Sequence, residues 1–243
     1  MRGRGAVGVA VLLVVIAAVS LLFYFRHSNR PPVPAARPLA ERPPLMLLTT
    51  LPIAFPEHFA LNVPASPVLK ALQSRYRVEP ISVADAGELD HGRLLLMAQP
   101  QAQPPEDLVA LDDWVRAGGR VLLFADPALE WPSDRPLGSL LRPPYAFADT
   151  GLLAHWGLRL QGPDQLGPAE VKIDGSALST RSPGKVVATN HDCSIDSGDF
   201  VARCRMGPGE ATVIADADFL NSSSAVEGPS LDVLLIELAR LER

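Results

Sequence analysis

The sequence predicts an α/β domain in which a mostly parallel sheet is flanked by helices, with an antiparallel hairpin region in its second half and one transmembrane helix before it. Three observations predict this fold class: short, continuously apolar segments, a well-marked helix between two of them, and an uncharged N-terminal run of 20 residues. With 243 residues, of which 47% are hydrophobic, the chain is long enough to bury one sizeable core.

The uncharged run, residues 6–25, is long enough to cross a bilayer. As an α-helix, its 20 residues rise about 30 Å, which is the thickness of the hydrocarbon layer. A cleaved signal peptide is one alternative, but its apolar part normally has only about 7–15 residues. A buried core helix is the other, and the arginines on both sides of the run argue against it. We therefore expect residues 1–30 to be a retained anchor, with residues 6–25 in the lipid bilayer.

A proline-rich stretch separates the anchor from the domain. Residues 31–44 contain six prolines, which disfavour a helix and favour extended polyproline geometry. The stretch is interpreted as a semi-rigid spacer, with a disordered tail as the alternative. The globular domain is expected to span residues 45–243.

The clearest helix of the domain lies between two buried strands. Pro104 and Pro105 open it, apolar residues recur at helical spacing, and Gly118 and Gly119 end it. The flanking strands, residues 93–98 and 120–125, complete a βαβ unit, which implies parallel pairing and a right-handed crossover. The elements predicted before this unit are a strand at 45–49, a helix at 68–75 and a strand at 76–80.

The second half of the domain changes character. Alternating apolar and polar runs at 170–173, 185–189 and 200–206 predict antiparallel hairpins. A short helix is expected before them, at 150–155, with Thr150 as its cap. A buried strand at 211–215 and a final helix at 230–241 complete the predicted elements.

The two cysteines indicate a compartment. A two-residue turn at Gly198–Asp199, of type II′ because glycine comes first, would place Cys193 opposite Cys204 and within reach of a disulfide. Such bonds persist outside the cytosol, so we predict that the domain lies across the membrane from the cytosol. Two free thiols or half a metal site are the alternatives, and with His191 as the only nearby histidine the zinc pattern is poor.

The charge distribution argues against a nucleic-acid partner. The net charge is −5, and residues 44–243 hold 16 basic and 26 acidic residues. The remaining six bases are arginines of residues 1–43, which contain one acid, Glu41. An acidic body of this kind repels nucleic acid and stays soluble.

The sequence contains no recognised catalytic motif. There is no G-x-S-x-G elbow and no glycine-rich phosphate loop, and no two of the five histidines lie four residues apart. We therefore expect no cofactor and no metal. A hydrolase that uses Asp126, Asp216 or Asp218 as acid or base is the enzymatic alternative.

A candidate ligand-binding cleft follows from the predicted sheet. In open α/β sheets, ligands bind beyond the carboxyl ends of the strands. The polar residues at the predicted strand ends are Thr49, Thr50, Gln99, Gln101, Asp126, Asp216, Asp218 and Asn221. The alternative is that the acids and amides among them cap the loops and helices that follow the strands.

Four segments resemble a known family. The segments LMLLTTLPIAF, LLLMAQPQAQPPEDLVALDDWVRAGGRVLLFADPALEWPS, LLAHWGLRL and GEATVIADADFLN are similar to the soluble domain of auxiliary components of gliding-motility-type ABC transporters, over roughly residues 45–221. The resemblance implies a flavodoxin-like or class I glutamine amidotransferase-like sheet without that family's catalytic cysteine and histidine.

The resemblance, the predicted anchor and the predicted disulfide together predict function and location. We expect a non-enzymatic interaction domain in the periplasm, held at the bacterial inner membrane by a single span, and the resemblance implies a membrane protein such as an ABC permease as partner. The alternatives are an amidotransferase-like envelope enzyme and a sensor of a small ligand or glycan that uses the strand-end cleft.

Overall fold

The computed structural model describes residues 31–57, 64–221 and 229–243. The predicted anchor, residues 6–25, lies outside these ranges. Within them, no helix combines the length and the apolar character that crossing a bilayer requires.

The described residues form eleven strands and five α-helices. The helices are α1 (Pro67–Gln73), α2 (Ala86–Leu89), α3 (Pro105–Arg116), α4 (Leu152–His155) and α5 (Pro229–Leu241). The strands are β1 (Pro44–Thr49), β2 (Arg77–Pro80), β3 (Leu94–Ala98), β4 (Arg120–Phe124), β5 (Leu158–Gln161), β6 (Pro168–Ile173), β7 (Ser176–Arg181), β8 (Lys185–Ala188), β9 (Cys193–Asp196), β10 (Val201–Met206) and β11 (Gly209–Ile214).

A seven-stranded sheet forms the centre of the domain, in the order β2-β1-β3-β4-β11-β10-β9. The first five strands of this order pair in parallel, while β10 pairs antiparallel with both β11 and β9. The predicted mostly parallel sheet with antiparallel hairpins is therefore confirmed. The connection from β1 to β2 runs toward one edge of the sheet, and the connection from β3 to β4 runs toward the other. Because both crossovers are right-handed, the helices after β1 and β3 cover opposite faces of the sheet.

Burial explains why the central strands could be predicted from the sequence. Every residue of β3 is buried, as are the last four of β4, because helices cover both faces of the sheet. In contrast, β7 alternates buried and exposed residues because one of its faces meets solvent. The strands β6 and β7 form a hairpin, but β8 pairs with β5, from which residues 162–184 separate it, and not with a sequence neighbour.

The β9–β10 hairpin carries the predicted disulfide. Cys193 and Cys204 are directly paired and are joined by a disulfide bond. The predicted type II′ turn is wrong, because Asp199 as well as Gly198 has a φ of 67°. Positive φ values at both turn residues fit a type I′ turn, which aspartate tolerates better than most residues, and Ser197 before them is also left-handed, with a φ of 59°.

The short helix α4 is capped differently from the prediction. Its N-terminal cap is Gly151, at a φ of 107°, and the Asp149 carboxylate accepts hydrogen bonds from the backbone N–H groups of Gly151 and Leu153. Thr150 has no such role. An aspartate two residues before the cap can supply the acceptor that the first turn needs.

The proline-rich stretch contacts the domain near the end of its last helix, α5. Residues Leu39–Glu41 form one 3-10 turn, so the stretch is not extended throughout. The Arg37 guanidinium donates to both carboxylate oxygens of Glu242 at 2.8 and 2.7 Å, and its backbone N–H donates to the Ser74 carbonyl at 2.9 Å. These contacts hold residue 37 beside the last helix.

Candidate functional site

An open pocket of about 400 Å³ lies where β1, β2 and β3 end; we call it the strand-end pocket. It forms between the loop after β1, the residues just after β2 and the long loop after β4. Its lining residues are Leu47, Leu48, Thr49, Thr50, Leu51, Pro52, Ala54, Phe55, Pro56, Glu57, Pro80, Ile81, Ser82, Gln101, Trp131, Pro132, Ser133, Arg135, Leu141 and Pro143.

Two predicted cleft residues turn the chain at this pocket. The Thr49 hydroxyl donates to the Ala98 carbonyl at 2.7 Å and accepts from the backbone N–H of Leu51 at 3.0 Å. The Thr50 hydroxyl donates to the Gln99 carbonyl. These bonds tie the end of β1 to the end of β3, so both threonines shape the pocket while they line it.

The pocket has one polar corner. Glu57 accepts a hydrogen bond from the Ser133 hydroxyl and pairs with Arg135, with 3.7 Å between Arg135 Nε and Glu57 Oε1. The Arg142 guanidinium donates to the Ser133 carbonyl at 3.1 Å. The contacts of Glu57 fasten the long loop after β4 to the loop after β1, and the Arg142 bond joins two parts of the loop after β4.

Two large apolar side chains that line the pocket are exposed to solvent. Phe55 and Leu141, which line it, are 72% and 68% exposed. The same loop also exposes Leu137, Leu140 and Tyr145; we call these five residues the apolar rim. A concentration of exposed apolar side chains on one loop is typical of an interaction site. The rim was not predicted, although leucines in a proline-rich segment without helical or strand periodicity indicate such an exposed surface.

Gln99 joins two strand ends inside the domain. It is fully buried and has a φ of 44°, in the left-handed region that non-glycine residues seldom adopt. Its side-chain amide donates to the carbonyls of Asp126 and Pro144 at 3.1 and 3.0 Å, and its carbonyl accepts from the Asp126 N–H at 2.9 Å. Gln101, two residues on, lines the pocket and donates to the Leu140 carbonyl at 3.0 Å.

Asp126 links the ends of β4 and β11. It is fully buried, and its two oxygens accept from the backbone N–H groups of Ala128 and Ala217 at 2.8 and 2.9 Å. Burial, together with the nearby Asp218 carboxylate, raises the pKa of Asp126 to about 7. The two hydrogen bonds favour the charged form and oppose this rise, but burial outweighs them.

Asp216 and Asp218 lie beside Asp126. The buried Asp216 accepts from the Thr180 hydroxyl at 2.7 Å and from the Phe219 N–H at 3.3 Å, while its other oxygen has no hydrogen-bond partner in the described part of the chain. Burial and the Asp126 carboxylate raise its pKa well above the usual range. Asp218 accepts from the Glu130 N–H at 2.8 Å, and burial raises its pKa to about 6.

The predicted cleft therefore divides into two places. Three members line the strand-end pocket, whereas Gln99 and the three aspartates brace loops inside the domain. Asn221 is partly exposed and donates its backbone N–H to the Asp218 carbonyl at 2.9 Å. The described residues contain no group of three or more His, Cys, Asp or Glu side chains arranged to hold a metal.

The buried aspartates predict that stability falls as pH rises. The folded pKa values of Asp126 and Asp218, about 7 and about 6, exceed the ordinary value of 3.8, so the folded state binds more protons between pH 4 and 7. We expect the free energy of unfolding to be on the order of 2 kcal/mol lower at pH 8 than at pH 5, measured by urea unfolding.

Matched variants identify the groups responsible. Asp126→Asn should reduce this pH dependence and leave the part that is due to Asp218, whereas Asp164→Asn, at a mostly exposed carboxylate, should leave it unchanged. A free energy of unfolding that is constant or rises from pH 5 to pH 8 would contradict the assignment.

Solved structures with a similar fold support the architecture. The structure titled mmIFT52 N-terminal domain matches over 82% of this chain and 97% of that chain, with a TM-score of 0.52 and 12% identity. The cytoplasmic protein STM3548 from Salmonella typhimurium matches over 81% and 98%, with a TM-score of 0.51 and 10% identity. At these identities the likeness concerns the fold alone. No curated protein matches the chain significantly.

A family model matches the part of the chain that forms the strand-end pocket. The model describes an ABC-type uncharacterized transport system and matches residues 42–164, which include every residue that lines the pocket. The matched region also contains Gln99 and Asp126 but ends before the disulfide hairpin. The match spans half of the 243 residues. The chain therefore belongs to the ABC-type uncharacterized transport system family.

Proposed function

We propose that this protein is a membrane-anchored auxiliary component of an ABC-type transport or envelope system, which binds a membrane-protein partner such as an ABC permease through the strand-end pocket. The observation that carries the proposal is the family match over residues 42–164, because the pocket lies entirely within it. An auxiliary role agrees with that family, and the exposed apolar rim supplies a surface that a partner can bury.

The chemistry of the rim suits a protein partner. Phe55 and Leu141 line a pocket whose polar corner, Glu57 and Arg135, is already paired, and the other rim residues are exposed on the same loop as Leu141. Interfaces place such apolar anchors at their centre and polar groups at their edge. We infer that an apolar segment of the partner enters the pocket between Phe55 and Leu141.

Binding is favoured over amidotransferase chemistry by the state of the cysteines. The sequence contains two cysteines, and both are joined in the disulfide. An oxidised chain therefore has no thiol that could act as the nucleophile of a class I glutamine amidotransferase. The five parallel strands have the order β2-β1-β3-β4-β11. This is the 2-1-3-4-5 order of flavodoxin-like sheets and supports this fold class.

Two features support a periplasmic domain on an inner-membrane anchor. Residues 6–25 are uncharged and have the length of a bilayer span. The Cys193–Cys204 disulfide is typical of proteins outside the cytosol. Together they support a single-pass chain whose C-terminal domain lies in the bacterial periplasm.

A crosslinking experiment in the native membrane tests the proposed interface. A photo-crosslinking amino acid at Leu137 of the full chain should capture an ABC permease subunit, identified by mass spectrometry, whereas one at the exposed Val109 of α3 should not. Leu140→Asp with Leu141→Asp should reduce the captured yield about ten-fold or more, because each leucine buried at an interface contributes roughly 1.5–3 kcal/mol.

The control is Val109→Asp, which adds a charge at another exposed apolar position outside the rim and should preserve the yield. Equal capture from both positions, or products that include no ABC subunit, would refute the proposed partner.

A further inference from the structure

A second pocket lies at the opposite ends of the strands, and most of its charged lining residues are arginines. It has a volume of about 790 Å³ and is formed by the starts of β4, β9 and β11, the end of β10 and the end of α5. We call it the arginine pocket. Its charged lining residues are Arg120, Arg203, Arg205, Arg240 and Arg243, with the carboxylates of Asp192 and Glu210.

Part of this positive charge is already neutralised. Arg203 pairs with Glu237, Asp174 and Asp196 at 2.9, 3.3 and 2.5 Å. Arg240 shares Asp174 with it. These two arginines therefore serve mainly to fix α5 and β10 against each other.

Two arginines of the pocket lack an acidic partner. Glu210 lies opposite Arg205 in the strand pairing, but its carboxylate is 3.4 Å from Arg120 instead. Arg205 and Arg243 are exposed, and neither makes an ion pair with any residue in the described ranges. On a body that holds ten more acids than bases, an open pocket with two unpaired guanidiniums is a local exception.

The chain from the membrane side reaches the domain near this pocket. An adjoining cavity of about 780 Å³ shares Arg120 and is lined by Arg37, Arg93 and Glu242. Arg37 follows the end of the uncharged run by twelve residues, which span at most about 40 Å when extended. The proposed anchor would therefore keep this edge of the sheet close to lipid headgroups.

We propose that the arginine pocket binds the phosphate group of anionic phospholipid headgroups, through Arg205 and Arg243. Guanidinium groups match the oxygen geometry of phosphate and form paired, charge-assisted hydrogen bonds with it. The assignment rests on the proposed membrane anchor, which supplies the lipid surface. Headgroup binding would turn the strand-end pocket, at the other end of the sheet, away from the bilayer.

Thermal unfolding of the full chain in neutral detergent tests this site. The probes are short-chain phosphatidylglycerol, phosphatidylcholine of the same chain length, and inorganic phosphate. Because a ligand that binds only the folded state raises the unfolding midpoint, phosphatidylglycerol should raise it in a saturable way and phosphatidylcholine should not. Arg205→Gln with Arg243→Gln should weaken the phosphatidylglycerol affinity about ten-fold or more.

The matched control is Arg159→Gln with Lys172→Gln, which removes two exposed positive charges from β5 and β6 and should keep the parent affinity. An equal effect of both lipids, an effect retained in Arg205→Gln with Arg243→Gln, or saturation by inorganic phosphate with no preference for the lipid would overturn the assignment.

Flotation separates this inference from the function on which it rests. A full chain that floats with phosphatidylcholine vesicles but shows no phosphatidylglycerol effect retains its anchor and refutes only the headgroup site. A full chain that fails to float refutes the proposed anchor.

Discussion

Replacing Gly209 with alanine is expected to lower the free energy of unfolding by about 3–5 kcal/mol. Gly209 begins β11, and a Cβ atom there would lie 1.7 Å from the carbonyl oxygen of Val115 and 2.8 Å from that of Gly119. Both obstacles are backbone atoms, so no side-chain rotation can relieve the clash. Either β11 or the end of α3 must move, at the centre of the sheet.

Urea unfolding of the full chain, followed by the fluorescence of its three tryptophans, measures this effect. Gly162→Ala is the matched control, because its Cβ would meet no atom within 4 Å; its effect should stay within about 0.5 kcal/mol. A Gly209→Ala chain with the stability of the parent would show that β11 and α3 are not packed this closely.

Replacing Arg203 with glutamine should cost about 3–4 kcal/mol of stability. The Arg203 side chain is 10% exposed and lies 2.9 Å from the carboxylate of Glu237, which is fully buried. Burial raises the pKa of Glu237, and Arg203 is the main charge that opposes this rise. Without it, Arg240, at 3.8 Å, is the one basic partner that Glu237 retains among the described residues, and Glu237 must either stay charged in the interior or take up a proton.

The cause of this loss can be separated from the loss of packing. Arg203→Met with Glu237→Met removes both charges at similar volume and should recover most of the stability in urea unfolding, because no unpaired charge remains buried. Arg181→Gln breaks the exposed pair with Glu130 and should cost less than about 1 kcal/mol. A double variant that is no more stable than Arg203→Gln would contradict the unpaired-charge explanation.

The parallel half of the fold was predictable because burial on both faces leaves continuous apolar segments. The segments predicted at 45–49 and 93–98 agree with β1 and β3 to within one residue at each end. The two strands of the βαβ unit around α3 were predictable for the same reason. The helix between them was predictable because prolines precede it and glycines follow it. Here local sequence and tertiary environment agree.

The second half was less predictable because its strands are short and half-exposed. The pairing of β8 with β5 depends on contacts between distant parts of the chain that no local pattern encodes. Of the two strands of the β6–β7 hairpin, only β6 was predicted. The strand β7 was not, because it consists of small and polar residues with Leu178 as its one large apolar side chain.

The candidate site was predictable in position but not in accessibility. The rule that ligands bind beyond strand ends placed Thr49, Thr50 and Gln101 at an open pocket. The same rule selected Asp126 and Asp216, which are buried because loops after β4 and β11 fold over the sheet edge. Sequence alone shows that an aspartate ends a strand, but not whether the following loop covers it.

The contact between Arg37 and Glu242 determines where a pulling force enters the domain. Tension along the chain from the N-terminal side reaches Arg37 before it reaches β1, and two guanidinium–carboxylate bonds pass part of it to the end of α5. That helix packs on β4 and β11, in the middle of the sheet. Mechanical load is therefore shared with the interior instead of peeling β1 away from its neighbours.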